Sequence, residues 1–186
     1  MVLSSQKSDL VVQADLADAV IVALGANDKG KFVTCEQALE AALLCLQREG
    51  IEIVSRSSWW QSQAWPNPED PPFLNGVVMV RTDLGPEALM QTLSRIEDEQ
   101  GRVRTVRNAP RTLDLDLIAY GRLSGDLDGL LLPHPRAADR LFVMGPIAEI
   151  APDWLHPVLG RSARDLSELA EVGRDAAPVG QGANQR

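Results

Sequence analysis

Asp114 and Asp116 stand in the run Arg111-Thr112-Leu113-Asp114-Leu115-Asp116-Leu117-Ile118-Ala119-Tyr120. Leu113, Leu115 and Leu117 alternate with Thr112, Asp114 and Asp116, the pattern of a strand with one face in a core and the other turned to something polar. Successive side chains of a strand leave opposite faces, so both carboxylates project from one face with Cα atoms about 6–7 Å apart. Like charges that close repel unless they face water, share a proton or hold a cation between them. Paired hard oxygen ligands suit Mg2+, which commonly binds one or two carboxylates together with phosphate oxygens. An isolated Asp-x-Asp is as readily an ordinary solvated strand face. This pair is preceded by Arg102, Arg104, Arg107 and Arg111, in a chain of 26 acidic and 18 basic residues. Guanidinium groups grip phosphate oxygens bidentately, so arginines beside paired carboxylates fit a polyphosphate held through a bridging metal.

The 186 residues, 45% of them hydrophobic, suffice for one globular domain with a full core. A net charge of −8 argues against a broad nucleic-acid or anionic-membrane surface, so neither is expected as a partner and any anionic ligand must be held locally. Cys35 and Cys45 lie on what reads as one helix with about 15 Å of rise between them, too far to bridge. They read as buried free thiols of a reducing compartment. No run of 18 apolar residues and no basic segment leading into an apolar core is found, so the cytoplasm is the expected location. A monomer is the expected state.

Certain elements must position these groups. Residues 1–17, without a sustained period, read as a flexible extension. Residues 19–24 and the turn Gly25-Ala26-Asn27 read as a buried strand and its exit. Thr34 with Gln37 makes a capping box for a helix with an apolar stripe of Leu39, Leu43 and Leu46, stopped by a left-handed Gly50. Residues 51–60 read as a second strand. Pro66, Pro68, Pro71 and Pro72 make 61–72 a stiff irregular loop, a candidate substrate wall that includes Trp65. Residues 73–80 form a third strand with Phe73 and Asn75 on one face. Gly85-Pro86 opens a second helix that turns Leu89, Leu93 and Ile96 inward and ends at Gly101. Its acidic end, Glu97, Asp98 and Glu99, opposes the helix dipole. His134 sits in a restricted backbone between Pro133 and Pro135. Residues 142–150 and 162–171 read as short helices, and the Gly-, Ala- and Gln-rich end from Gly173 as disordered. The order β-α-β-β-α-β with helical additions predicts an α+β, ferredoxin-like fold: a four-stranded antiparallel sheet with helices on one face, plus C-terminal helices. One domain is expected over 18–172, with loose ends at 1–17 and 173–186.

Pro110-Arg111-Thr112-Leu113-Asp114-Leu115-Asp116-Leu117-Ile118 closely resembles the signature of the 6-hydroxymethyl-7,8-dihydropterin pyrophosphokinases. These folate-pathway enzymes move a pyrophosphoryl group from ATP to a pterin alcohol. Phe73-Leu74-Asn75, Gly101-Arg102-Val103-Arg104, Pro133-His134-Pro135, Arg140-Leu141-Phe142-Val143, Glu149-Ile150-Ala151-Pro152 and His156-Pro157 are similar to further parts of the family pattern. The resemblance implies two Mg2+ ions on Asp114 and Asp116 along the ATP triphosphate, with Arg102 and Arg111 on the phosphates. Glu97, Arg104, Arg111, Leu117, His134 and Arg140 would line the nucleotide site. Phe73 and Phe142 would sandwich the pterin, and Asn75 with the backbone from Ser62 to Trp65 would bind its polar edge. Three departures stand out. Arg107-Asn108-Ala109-Pro110 is one residue shorter than the tryptophan-glycine-proline loop often found there, leaving Trp65 as the candidate to supply the missing ring. Ala26 replaces a usual serine, and Gly129 an arginine of some members. The implied reaction is in-line attack of the pterin hydroxymethyl oxygen on the β-phosphorus of ATP with AMP leaving, and no residue is an obvious general base. Two other classes fit the same carboxylates: a nonenzymatic ferredoxin-like ligand-binding module, and a metal-dependent nucleotidyl transferase that would release pyrophosphate.

Overall fold

A computed structural model describes residues 16–64, 69–101 and 112–180. Its central sheet has six strands, all paired antiparallel. The strand carrying the two aspartates, β5 (Asp114–Tyr120), is an edge. It pairs with β1 (Val20–Ala26), which pairs with β4 (Phe73–Arg81). Both β2 (Glu52–Arg56) and β3 (Trp60–Ser62) pair with β4, and β8 (Ala177–Pro178) adds to β3. The expected strand over 51–60 is thus divided. Between its halves the Ser57 hydroxyl accepts from the Val77 N–H at 3.0 Å, standing in for a ladder carbonyl. A separate hairpin, β6 (Gly125–Leu127) and β7 (Leu130–Leu132), follows β5.

Two helices cover one face. In α1 (Cys35–Arg48) the Thr34 side chain accepts from the Gln37 N–H at 3.2 Å, while Gln37 reaches back to the Val33 N–H at 3.1 Å, one residue beyond the expected box. Gly50, at φ +77, ends that helix as its position predicts. Helix α2 (Pro86–Glu99) begins after Gly85 and buries Leu89, Leu93 and Ile96. With Val22, Leu24, Leu39, Leu43, Leu115 and Leu117 these form the first core.

The opposite face is also covered, where the four-stranded plan predicts helices on one side alone. Helix α3 (Leu141–Ile150) buries five consecutive residues, Val143 to Ile147, and a helix apolar around its circumference belongs inside a molecule. With α4 (Ala163–Leu169), started by a Ser162–Asp165 capping box, it packs on Ile21, Val77 and Ile118 around Met144, Ile147 and Trp154. The register between β1 and β5 shifts at Ile21 and Val22, which face Ala119 and Leu117 and leave Ile118 extra. This bulge lets Ile118 and Ala119 both enter the second core, although Leu113, Leu115 and Leu117 belong to the first.

Residues 173–180 depart from the expected disordered tail: Val172 bonds around the start of α3 and β8 lies along β3. Backbone pairing to an edge strand needs no apolar pattern, so composition does not announce it. Cys35 and Cys45 are free, and half-buried rather than buried. Burial, then Asp28, pushes the Cys35 thiol above its ordinary value. Among the described residues no helix is long and apolar enough to cross a membrane.

Candidate active site

Strand pairing brings distant residues onto one face. Asp114 is opposite Gly25 and Asp116 opposite Ala23; across β1, Gly25 is opposite Asn75 and Ala23 opposite Val77. Asn75 is in turn opposite Trp60, and Phe73 opposite Ser62. Directly opposed residues share a face, so Asp114, Asp116, Phe73, Asn75, Trp60 and Ser62 all project from the side of the second core. Toward one end of the strands that side carries Ile118 and Val77 under α3 and α4. Toward the other it carries the two half-buried aspartates and a polar array.

The array is braced. Asn75 and Ser62 are 7% and 4% exposed, and the Asn75 Nδ2 donates to Ser62 Oγ at 3.1 Å. Gly25 makes room for this amide, because a Cβ there would lie 3.3 Å from Asn75 Oδ1. Nearby, Asn27 Nδ2 donates to the Pro71 carbonyl at 3.2 Å, tying the turn after β1 to the proline-rich loop.

His134 follows β7 and is fastened to β5 by its N–H, which donates to the Ile118 carbonyl at 2.8 Å. Burial lowers its imidazole below the ordinary value of 6.5, opposed by Asp116 and reinforced by Arg140 and Arg136. These influences put His134 in the electrostatic neighbourhood of both Asp116 and Arg140. Arg140 caps α3, and its guanidinium lies 5.6 Å from the centre of the Phe142 ring.

Two further expected site residues have buried side chains. Glu97 is 2% exposed, and its Oε1 accepts from the Leu115 N–H at 2.7 Å. That carboxylate oxygen holds the outer edge of β5. Leu117 is 2% exposed and lies in the first core, opposite the aspartates, because strand alternation sends it there. Arg102, Arg104, Arg107, Arg111 and Trp65 lie outside the described residues.

Sequence reasoning passed over Glu149 and Trp60. From the far end of α3, Glu149 accepts from the Ser58 N–H at 2.8 Å, the Ser58 hydroxyl at 2.8 Å and the Trp60 Nε1–H at 2.9 Å. The Trp60 ring lies against Gly145, where a Cβ would approach to 2.6 Å. The sole signal in the sequence was Glu149 within its Glu-Ile-Ala-Pro motif, which names no partner.

Residues 21–152 match the family model of 7,8-dihydro-6-hydroxymethylpterin-pyrophosphokinase, HPPK. The chain belongs to the HPPK family. A 2-amino-4-hydroxy-6-hydroxymethyldihydropteridine pyrophosphokinase of Synechocystis is 42% identical, covering 81% of this chain and 75% of that protein. The protein of the same name from Pseudomonas aeruginosa is 38% identical over 81% of this chain and 88% of its own length. A crystal structure of a Plasmodium falciparum HPPK-DHPS triple mutant shares the fold, with a TM-score of 0.63 at 12% identity over 81% of this chain. This chain spans 42% of that longer one, and the likeness speaks to fold alone. The HPPK match runs through β1, β4, β5 and α3, the elements that carry the polar array and Phe142.

Proposed function

We propose that this chain transfers a pyrophosphoryl group from ATP to 6-hydroxymethyl-7,8-dihydropterin in the folate pathway, releasing AMP. The observation that carries this reading is the common face of Asp114, Asp116, Asn75 and Phe73 in a member of the HPPK family. The donor set suits Mg2+: two half-buried carboxylates leave one strand together. Among the described residues no group of three or more His, Cys, Asp or Glu gathers to form a cage. A carboxylate pair completed by phosphate oxygens and water is how Mg2+ is commonly held. When bound there, two Mg2+ ions would neutralise charge on the triphosphate.

The chain's own groups do the remaining work. Arg102 and Arg111 grip phosphate oxygens, Arg104 adds a further contact, and Arg140 and His134 border the nucleotide beside Asp116. Phe73 and Phe142 take the two faces of the pterin, and Asn75, braced by Ser62, reads its donor and acceptor edge. Trp65 takes the place of the ring that the shortened loop from Arg107 to Pro110 lacks. So held, the hydroxymethyl oxygen attacks the β-phosphorus in line and gives up its proton to solvent, the bond from that phosphorus to the α–β bridging oxygen breaks, and AMP departs. Catalysis is then mostly positioning and electrostatics. The same reading has the domain acting as a cytoplasmic monomer, with no nucleic-acid or membrane partner.

Incubation with ATP, Mg2+ and the hydroxymethyl pterin, with both products identified, tests it. AMP and the pterin pyrophosphate are expected. Release of pyrophosphate would indicate nucleotidyl transfer, and binding without turnover a ligand-binding module. Asp116→Ala should abolish AMP formation with the fold retained, since this carboxylate belongs to neither core; near wild-type turnover would remove the metal role.

A further inference from the structure

Residues 172–179 make a strap whose contacts converge on the proposed pterin site. Val172 donates to the Asp139 carbonyl and accepts from the Leu141 N–H, both at 2.9 Å, bracketing Arg140. Gly173, at φ +70, lies against Phe142, and a Cβ added there would stand 2.4 Å from the ring's Cδ1 and 3.0 Å from Cε1. The Asp175 carboxylate accepts from the Gln63 N–H, where the chain leaves β3 for the proline-rich loop. Ala177 and Pro178 then pair with Gln61 and Trp60, and the Val179 N–H donates to the Trp59 carbonyl at 2.7 Å.

These contacts do not resemble those of a segment recruited for core burial. Ala176 is buried at 7% exposure, but Val172 and Val179 remain 44% and 55% exposed. Backbone bonds dominate instead, and they fall on the two elements that must keep a fixed separation if a flat ring is to fit between Phe142 and the β3–β4 side.

We infer that Gly173 and Asp175 are positioning residues for the pterin. Gly173 sets where the Phe142 ring can lie, and Asp175 fixes the exit of β3 beside Ser62. The inference rests on the reading of Phe73, Asn75 and Phe142 as the pterin site. A side chain at Gly173 has no free volume on the ring side, and the positive φ disfavours any residue with a Cβ. The Phe142 ring must therefore move from its present place. Loss of charge at Asp175 weakens its hold on the Gln63 N–H, because a charged acceptor makes the stronger bond.

The test uses the full chain and two variants, Gly173→Ala and Asp175→Asn. Pterin binding is measured by its own fluorescence with a nonhydrolysable ATP analogue present, beside the KM for ATP and the melting temperature. Wild type should bind the pterin. Gly173→Ala should then raise the pterin Kd tenfold or more and Asp175→Asn about threefold, with the KM for ATP within twofold of wild type. A purely structural strap would lower the melting temperature and leave pterin and ATP affinities unchanged, or weaken both equally; either result in the folded variants overturns the inference. Should Gly173→Ala fail to fold, Asp175→Asn alone decides between these outcomes. Failure of wild type to bind the pterin would overturn the site reading itself, and the inference with it.

Discussion

Glu149 shows what one side chain does in joining two walls of the site. Its two oxygens take three donors from Ser58 and Trp60, which are 91 and 89 residues earlier in the chain. Burial pushes its carboxyl up, but the bonds from Trp60 and Ser58 outweigh this and leave it below the ordinary 4.5. A carboxyl lowered by folding contributes stability that is complete above its unfolded value and is lost as pH falls through the folded one. Glu149→Gln keeps the shape but offers one acceptor oxygen, so it should melt below wild type by a constant margin from neutral pH to about 5, given an unfolded carboxyl near 4.3. The margin should narrow below that. Thermal melts from pH 7 to 3 check this, and a gap still undiminished at pH 3 would show that Glu149 is not the titrating group. Asp114 and Asp116 were legible because strand alternation alone puts both on one face. Glu149 was not, since no local pattern tells a helical glutamate which distant strand it will meet.

At the scale of the element, β5 is defined by what holds its two edges. One edge is paired with β1, and on the other the Leu115 N–H is taken by Glu97 from the end of α2. Glu97→Ala would leave that buried amide unpaired, at a cost of about 1–3 kcal/mol. We expect a corresponding loss in urea midpoint and a fall in kcat larger than the change in either KM, because the strand that shifts carries Asp114 and Asp116. A stability loss with kcat preserved would confine Glu97 to the fold. Helices α1 and α2, with Thr34, Gly50 and Gly85-Pro86 at their ends, and the face shared by Phe73 and Asn75 followed from periodicity and capping signals. The bulge at Ile118 did not, because one extra apolar residue in an apolar strand leaves the hydrophobic pattern unbroken. Nor did the break between β2 and β3, which depends on a serine hydroxyl accepting in place of a carbonyl.

Over the whole molecule, two cores lie back to back on the same strands. Val22 and Leu24 of β1 face α1 and α2, and Ile21 faces α3; Leu115 and Leu117 of β5 face one way, and Ile118 and Ala119 the other. The ferredoxin-like plan alone would leave Ile21, Val77 and Ile118 bare, so the C-terminal helices complete the sheet and are not appended to it. Chains longer than about 150 residues often unfold through intermediates, and an independent C-terminal layer would give one here. Shared strands argue otherwise: losing α3 and α4 exposes the backs of residues whose neighbours form the first core. Trp59 lies in the first core and Trp154, 1% exposed, in the second, so each reports its own layer. In urea, a variant keeping Trp59 alone of the four tryptophans and one keeping Trp154 alone, the others changed to Phe, should each give a fluorescence transition that coincides with circular dichroism of the same variant. Loss of the Trp154 signal at a lower urea concentration than the sheet signal would instead make the C-terminal layer a separate folding unit, and Phe142, the strap and Arg140 would then leave the site before the aspartates do.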